Sequence, residues 1–196
     1  MRFSTGEKAK LFDEFNSELD KLSQSEPLKD VSRESPHVLQ IISFHLVFEH
    51  LIEKWIDFKI NSGKSVFKGV EKIGFHNKLY IAKNVGLPIK LFKGLNKINE
   101  ERNKFAHKLG KQDLTKDEIM KILDELGISR REFNEFGVYD GSTLHKVKSA
   151  SSETLLLFIL LNTLLSELRN FVFSDIYLET SEPFDPKNNA EHRYNT

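Results

Sequence analysis

Two long segments carry apolar residues on more than one face of a helix, and this feature constrains the fold most. They span residues 37–61 and 152–178, and the second is the most apolar part of the chain. A helix that is apolar on most of its surface has to be buried, so both are predicted to lie at the centre of a helical core. The strongest apolar run, 155–165, is interrupted by Asn162 and Thr163. Because a membrane span needs about 20 apolar residues, we expect a buried helix here and no membrane association.

The rest of the chain also has mainly helical periodicity. Apolar residues recur at three- and four-residue spacing, which predicts helices at 5–22, 67–85 and 89–108 and a pair of short helices within 115–137. No segment alternates with period two convincingly enough for a sheet, although the turn-rich stretch 138–149 has room for a short extended piece. The predicted fold is all-α: an antiparallel helical bundle of about five main helices.

One domain accounts for most of the chain. We predict a single helical domain over 1–178, with a small helical insertion at 111–150. The stretch 179–196 contains two prolines and two adjacent asparagines and has little to bury, so a disordered tail is expected there.

The chain contains no cysteine. This excludes disulfides, thiolate zinc sites and a cysteine nucleophile, and it is typical of a reducing compartment. The N-terminal residues lack the apolar stretch of a signal peptide. The expected location is therefore cytoplasmic.

Charge is segregated along the chain although the formal net charge is zero. Residues 54–111 hold 14 Lys/Arg against four Asp/Glu, and the remainder holds 15 against 25. Such segregation favours a polyanion partner, although a solvated lysine-rich surface would give the same pattern.

The most informative motif is LNKINEERNKFAH at 95–107. On a helix, Asn103 and His107 share a face, and the long side chain of Arg102 reaches the same opening. An imidazole can move protons near neutral pH, and a guanidinium can bind two phosphate oxygens. Lys104 and Lys108 flank these residues as candidate substrate contacts. RNA cleavage by this set requires no metal and no cofactor.

The spacing Arg102-x4-His107, with Asn103 after the arginine, resembles the signature of the HEPN superfamily (higher eukaryote and prokaryote nucleotide-binding domains). HLVFEHLIEKW at 45–55 and FHNKLYIAKNVGL at 75–87 resemble the subgroup related to mannitol operon repressors. The similarity covers roughly residues 37–110, whereas 111–150 resembles no known counterpart.

The resemblance implies a homodimeric endoribonuclease in which two subunits bring their motifs into one cleft. Arg102 would stabilise the phosphate, His107 would act as general acid or base, Asn103 would orient the site, and the product would be a 2′,3′-cyclic phosphate. Toxin–antitoxin and anti-phage systems are its usual setting, so an antitoxin or regulatory protein is an expected partner. The alternative is a non-catalytic transcriptional regulator or interaction module of the repressor-like type.

Two acidic residues on the second predicted helix are candidate orienting groups. Glu49 and Glu53 share a face with His45 and could pair with Arg102 and aim it. Plain surface contacts are the commoner explanation for such spacing, and a metal at His45 and Glu49 is the least favoured one. The pair Arg169-Asn170 repeats the start of the motif but is followed by no suitably spaced histidine.

Overall fold

The computed structural model of the protein describes residues 13, 17, 21, 35–60, 66, 67, 69, 73–107, 113–140, 142–149 and 152–180. The helix predicted at 5–22 lies outside these residues, apart from the three helical positions 13, 17 and 21. The predicted tail also lies outside them, except that the last helix continues to Thr180.

The described residues form an all-α fold, as predicted. The helices are α1 (His37–Ile60), α2 (Phe75–Asn84), α3 (Ile89–His107), α4 (Lys116–Glu125), α5 (Arg130–Glu135) and α6 (Glu153–Thr180). Strands β1 (Gly137–Asp140) and β2 (Thr143–Lys146) and the short 3-10 helix Val147–Ser149 lie between α5 and α6.

Helix α2 begins later than its sequence predicted. Residues 66, 67 and 69 form turns, and the helix starts at Phe75 after an extended Gly74. Its end agrees with the prediction because Gly86 adopts a positive φ of 117°, which a residue with a side chain rarely adopts.

The insertion contains the two predicted short helices and a β-hairpin. Both helices begin with a capping box, Thr115 with Glu118 and Ser129 with Glu132. The hairpin pairs β1 with β2 in antiparallel register within the turn-rich stretch. Four-residue strands are too short for a period-two pattern to stand out, which explains why the sequence indicated only an extended piece.

Helix α1 is the centre of the bundle. It packs against α2, α3 and α6, and its large apolar side chains are almost fully buried. The most deeply buried of these are Ile41, Phe44, Phe48, Leu51, Ile52, Trp55 and Ile56. Fully burying one such side chain contributes about 1.5–3 kcal/mol, so this helix supplies much of the stabilising burial.

Contacts at the two ends of the bundle establish the directions of the helices. Helices α1 and α6 are parallel, since His37 meets Thr154 at one end and Trp55 meets Asp175 at the other. Helix α3 is antiparallel to both. In the first turn of α3, Lys90 forms an ion pair with Glu167 of α6. In the middle of α3, Asn99 contacts His45 of α1.

Helix α6 is long and apolar enough to cross a membrane by length and composition alone, over Glu153–Ile176. Half of that stretch is buried inside the bundle. Its buried side chains face α1, α3 and α4, which agrees with the expected core helix.

We predict that the indole of Trp55 depends on Asp175 as its acceptor. Trp55 is fully buried, and its Nε1 donates to Asp175 Oδ2 at 2.8 Å, while Lys59 lies 3.2 Å from the same oxygen. Asp175→Val should lower the free energy of unfolding by about 1–3 kcal/mol because a buried donor loses its partner. Asp175→Asn retains an acceptor oxygen and should cost less than about 1 kcal/mol. Urea denaturation of both variants checks this, and equal losses would contradict it.

Candidate active site

The predicted motif residues lie on the last two turns of α3. Arg102 and His107 are exposed, and Asn103 is partly exposed. The guanidinium Nη1 of Arg102 donates to Asn103 Oδ1 at 3.1 Å, so two of the three candidates are in direct contact. Lys108 lies outside the described residues.

Arg102 and His107 have no ion-pair partner within the described part of the chain, and the same holds for Lys83, which lies over the Tyr80 and Phe92 rings. The lysines at 59, 78, 90, 93, 97 and 104 all contact carboxylates. Much of the positive charge that the sequence concentrates in 54–111 is therefore balanced within the bundle. Arg102 keeps its charge available to an external anion.

Lys104 and Glu101 form a local pair beside the motif. Lys104 Nζ donates to Glu101 Oε1 at 2.7 Å, and Lys97 lies 3.7 Å from the same oxygen. Glu101 is 1% exposed, so its carboxylate is held between these two lysines. Lys104, predicted to contact substrate, thus already has an acidic partner.

The two predicted orienting carboxylates contact a different residue from the one expected. Lys78 of α2 donates to Glu49 Oε1 at 2.5 Å and also to Glu53 Oε1. Burial alone would lower the pKa of Lys78, but its hydrogen bonds to both glutamates outweigh burial and raise it. The pairing of Glu49 or Glu53 with Arg102 is therefore not observed, because Lys78 of α2 binds both carboxylates.

A buried histidine–asparagine contact supports the motif helix from behind. His45 Nε2 and Asn99 Oδ1 are 3.1 Å apart, and His45 also meets the Phe75 ring edge-on at 4.5 Å between centroids. Both polar residues are over 90% buried. Asn99 precedes Asn103 by one helical turn, so the contact fixes the rotation of α3 about its axis. Sequence reasoning missed Asn99, although its four-residue spacing from Asn103 was a usable signal.

Arg102 is close enough to affect the titration of His45. Burial is the main cause of the lowered pKa of His45, and the charges of Arg102 and Lys78 lower it further. The hydrogen bond to Asn99 and the charge of Glu49 oppose this shift. His45 is therefore neutral near pH 7, and its Nε2–H donates to Asn99.

No group of three or more His, Asp or Glu side chains that could hold a metal ion occurs among the residues that the structure describes. The arrangement present is a cation, an amide and an imidazole at the end of one helix. Such groups can bind a phosphate and transfer protons.

Comparison with known proteins gives no family assignment. The chain matches no protein-family model, and no curated protein and no solved structure is similar to it.

We predict that acid destabilises the protein partly through His45. Because the folded state lowers the pKa of His45 below about 6.5, the unfolded chain binds more protons in the range just below that value. The stabilisation is complete above pH 6.5 and is lost as the pH falls towards the folded pKa. His45→Gln keeps an amide donor near Nε2 but cannot be protonated. Between pH 7 and 5, the free energy of unfolding of the His45→Gln variant should fall less steeply than that of the wild type. The two slopes should differ by up to about 1.4 kcal/mol per pH unit. Parallel pH profiles for the two proteins would contradict this.

Proposed function

We propose that the protein is a metal-independent endoribonuclease of the HEPN type that acts as a homodimer. The observation that carries the proposal is the placement of Arg102 and His107. Both are exposed at one end of α3, and neither has an ion-pair partner among the described residues. Basic side chains left available beside otherwise paired lysines are suited to an external phosphate.

The proposed chemistry is attack of a ribose 2′-oxygen on the adjacent phosphorus. The 2′-hydroxyl loses its proton, the P–O5′ bond breaks, and the departing 5′-oxygen receives a proton. The products are a 2′,3′-cyclic phosphate and a 5′-hydroxyl. His107 serves one of the two proton transfers, and Arg102 stabilises the charge of the phosphorane. Asn103 holds the guanidinium of Arg102 in place through the observed hydrogen bond.

A second copy would supply the second imidazole. A single catalytic histidine cannot serve as base and acid at the same moment, whereas two copies of the motif in one cleft provide one imidazole for each step. An exposed aliphatic stripe on α1 supports this association. It consists of Leu39, Ile42 and Leu46, which are 42%, 41% and 49% exposed. Since α3 runs antiparallel to α1 and meets it at His45 and Asn99, the stripe lies at the same end of the bundle as the motif.

The same stripe favours a second candidate function. An apolar helix face can also bind another protein, so a non-catalytic regulator that uses α1 to contact an antitoxin or another partner fits this surface. The two functions differ in what they require of Arg102 and His107. Only the endoribonuclease needs both side chains and an RNA substrate.

We predict that His107→Ala and Arg102→Ala each reduce RNA cleavage in EDTA by at least about 100-fold. Loss of a general acid or base typically costs that much, and loss of the phosphate-binding cation costs a comparable factor. The measurement is the rate of appearance of 2′,3′-cyclic phosphate ends on tRNA, mRNA and synthetic single-stranded RNA.

Arg169→Ala is the matched control for this experiment. Arg169 is an exposed arginine that also precedes an asparagine on a helix, but no histidine follows it at the right spacing. Its removal should leave cleavage unchanged. If the wild-type dimer leaves every RNA intact, or if the His107→Ala variant cleaves RNA as fast as the wild type, the endoribonuclease function is refuted. The non-catalytic regulator would then be the remaining candidate.

We predict that Ile42→Glu dissociates the dimer and abolishes cleavage together with it. A carboxylate in the centre of the stripe would have to be buried without a partner on association. Leu144→Glu is the control, because Leu144 of β2 is an equally exposed aliphatic residue away from α1, at 41%. Sedimentation velocity gives the oligomeric state of each variant. A wild-type monomer, or an Ile42→Glu dimer, would show that α1 is not the interface.

A further inference from the structure

Helices α2 and α3 carry a group of aromatic and basic side chains that the proposed cleavage chemistry does not use. The Tyr80 ring meets the His76 ring at 4.8 Å and the Phe92 ring at 5.1 Å between centroids, both edge-on. Lys83 Nζ lies 5.7 Å from the centroid of the Tyr80 ring and 5.0 Å from that of the Phe92 ring. We call these four residues the aromatic cluster.

Tyr80 presents an aromatic surface to solvent. It is 45% exposed, whereas its neighbour Phe92 belongs to the buried core. The edge-on contacts with His76 and Phe92 restrict the ring, so a flat ligand that stacks on it costs little side-chain entropy. Exposed aromatic rings beside basic residues are the usual platforms for unpaired nucleic-acid bases.

Lys83 supplies the aromatic cluster with a charge that no carboxylate of the described residues balances. Helix α2 itself contains no acidic residue. Glu100 of α3 reaches the cluster indirectly, since it accepts a hydrogen bond from Asn96 at 3.0 Å and Asn96 Oδ1 lies 3.2 Å from His76 Nδ1. Lys97 lies 2.9 Å from Glu100 and balances that carboxylate. Lys83 is therefore available to an external phosphate.

The aromatic cluster and the candidate active site lie along one face of α3. Phe92, Asn96, Asn103 and His107 are separated by four, seven and four residues, and this spacing returns to the same side of an α-helix. Asn103 follows Phe92 by eleven residues, which is about 16 Å along the helix axis. A single strand of a few nucleotides can therefore contact Tyr80 and also reach His107.

We propose that the aromatic cluster binds an unpaired base of a single-stranded RNA substrate. The base stacks on Tyr80, and Lys83 binds an adjacent phosphate. This inference rests on the proposed endoribonuclease, because it places the strand relative to Arg102 and His107. It also specifies the substrate class, since the bases of a duplex are stacked on one another and cannot reach the ring.

Fluorescence anisotropy with the full chain in EDTA tests this proposal. The probe is a labelled RNA strand of about 10 nucleotides, within the usual range of single-strand site sizes, whose 2′-O-methyl groups prevent cleavage. One companion probe is the same backbone with abasic sugars, and the other is the same sequence as a blunt duplex. The wild type should bind the base-carrying strand at least about tenfold more tightly than either companion.

Tyr80→Ala should weaken binding of the base-carrying strand by about tenfold, because the stacking surface is lost. Its affinity for the abasic strand should remain that of the wild type, whereas a misfolded variant would lose both strands equally. Tyr80→Phe keeps the ring and should bind as the wild type does. Tyr139→Ala is the matched control, because Tyr139 of β1 is 70% exposed and lies outside the aromatic cluster.

Lys83→Gln should weaken binding of both the base-carrying and the abasic strand, because both carry the phosphates. Loss of one phosphate contact should also reduce the slope of log Kd against log salt concentration by about 0.7. Lys121→Gln is the matched control, since Lys121 is an exposed lysine of α4 outside the aromatic cluster. Its affinity and salt slope should match the wild type.

Three results would overturn the assignment: no binding of the base-carrying strand, duplex binding as tight as single-strand binding, or equal losses of both strands in Tyr80→Ala. The first would leave the surface to a protein partner. Because the probe cannot be cleaved, the two proposals fail separately. A wild type that binds the strand through Tyr80 but leaves RNA intact refutes the endoribonuclease, and an active enzyme whose affinity ignores Tyr80 refutes the aromatic cluster.

Discussion

Burial of α1 is the constraint on which the rest of the structure depends. Three helices pack around it, and among its large apolar residues only the stripe Leu39, Ile42 and Leu46 and the terminal Ile60 remain strongly exposed. Removing so much apolar surface from water is the main stabilising contribution in a domain of this size. It also places α2, α3 and α6 relative to one another, and therefore determines where the end of α3 is presented.

Apolar packing by itself tolerates sliding and rotation of helices, and buried polar contacts remove that freedom. The His45–Asn99 contact sets the rotation of α3, Trp55–Asp175 sets the axial position of α6, and His37 ties α1 to the start of the insertion. Each buried polar group is costly to leave without a partner, so each contact disfavours alternative registers. The motif residues owe their common orientation to this arrangement.

Electrostatics illustrates how tertiary structure changes the meaning of a sequence pattern. The basic segment suggested a broad polyanion-binding surface, but most of its described lysines contact carboxylates contributed by other helices or by neighbouring turns. Arg102, beside Asn103 and His107, remains without a carboxylate partner among the described residues, as does Lys83 over the Tyr80 and Phe92 rings.

The sequence alone determined the all-α class, the burial of α1 and α6, the ends of most helices and the sharing of one helical face by Asn103 and His107. These follow from short-range periodicity and capping, which act within a few residues of the chain. Only the tertiary structure decided that Glu49 and Glu53 bind Lys78, that Asn99 meets His45 and that α2 starts at Phe75. Those outcomes depend on which distant side chains meet in space, and periodicity carries no information about such partners.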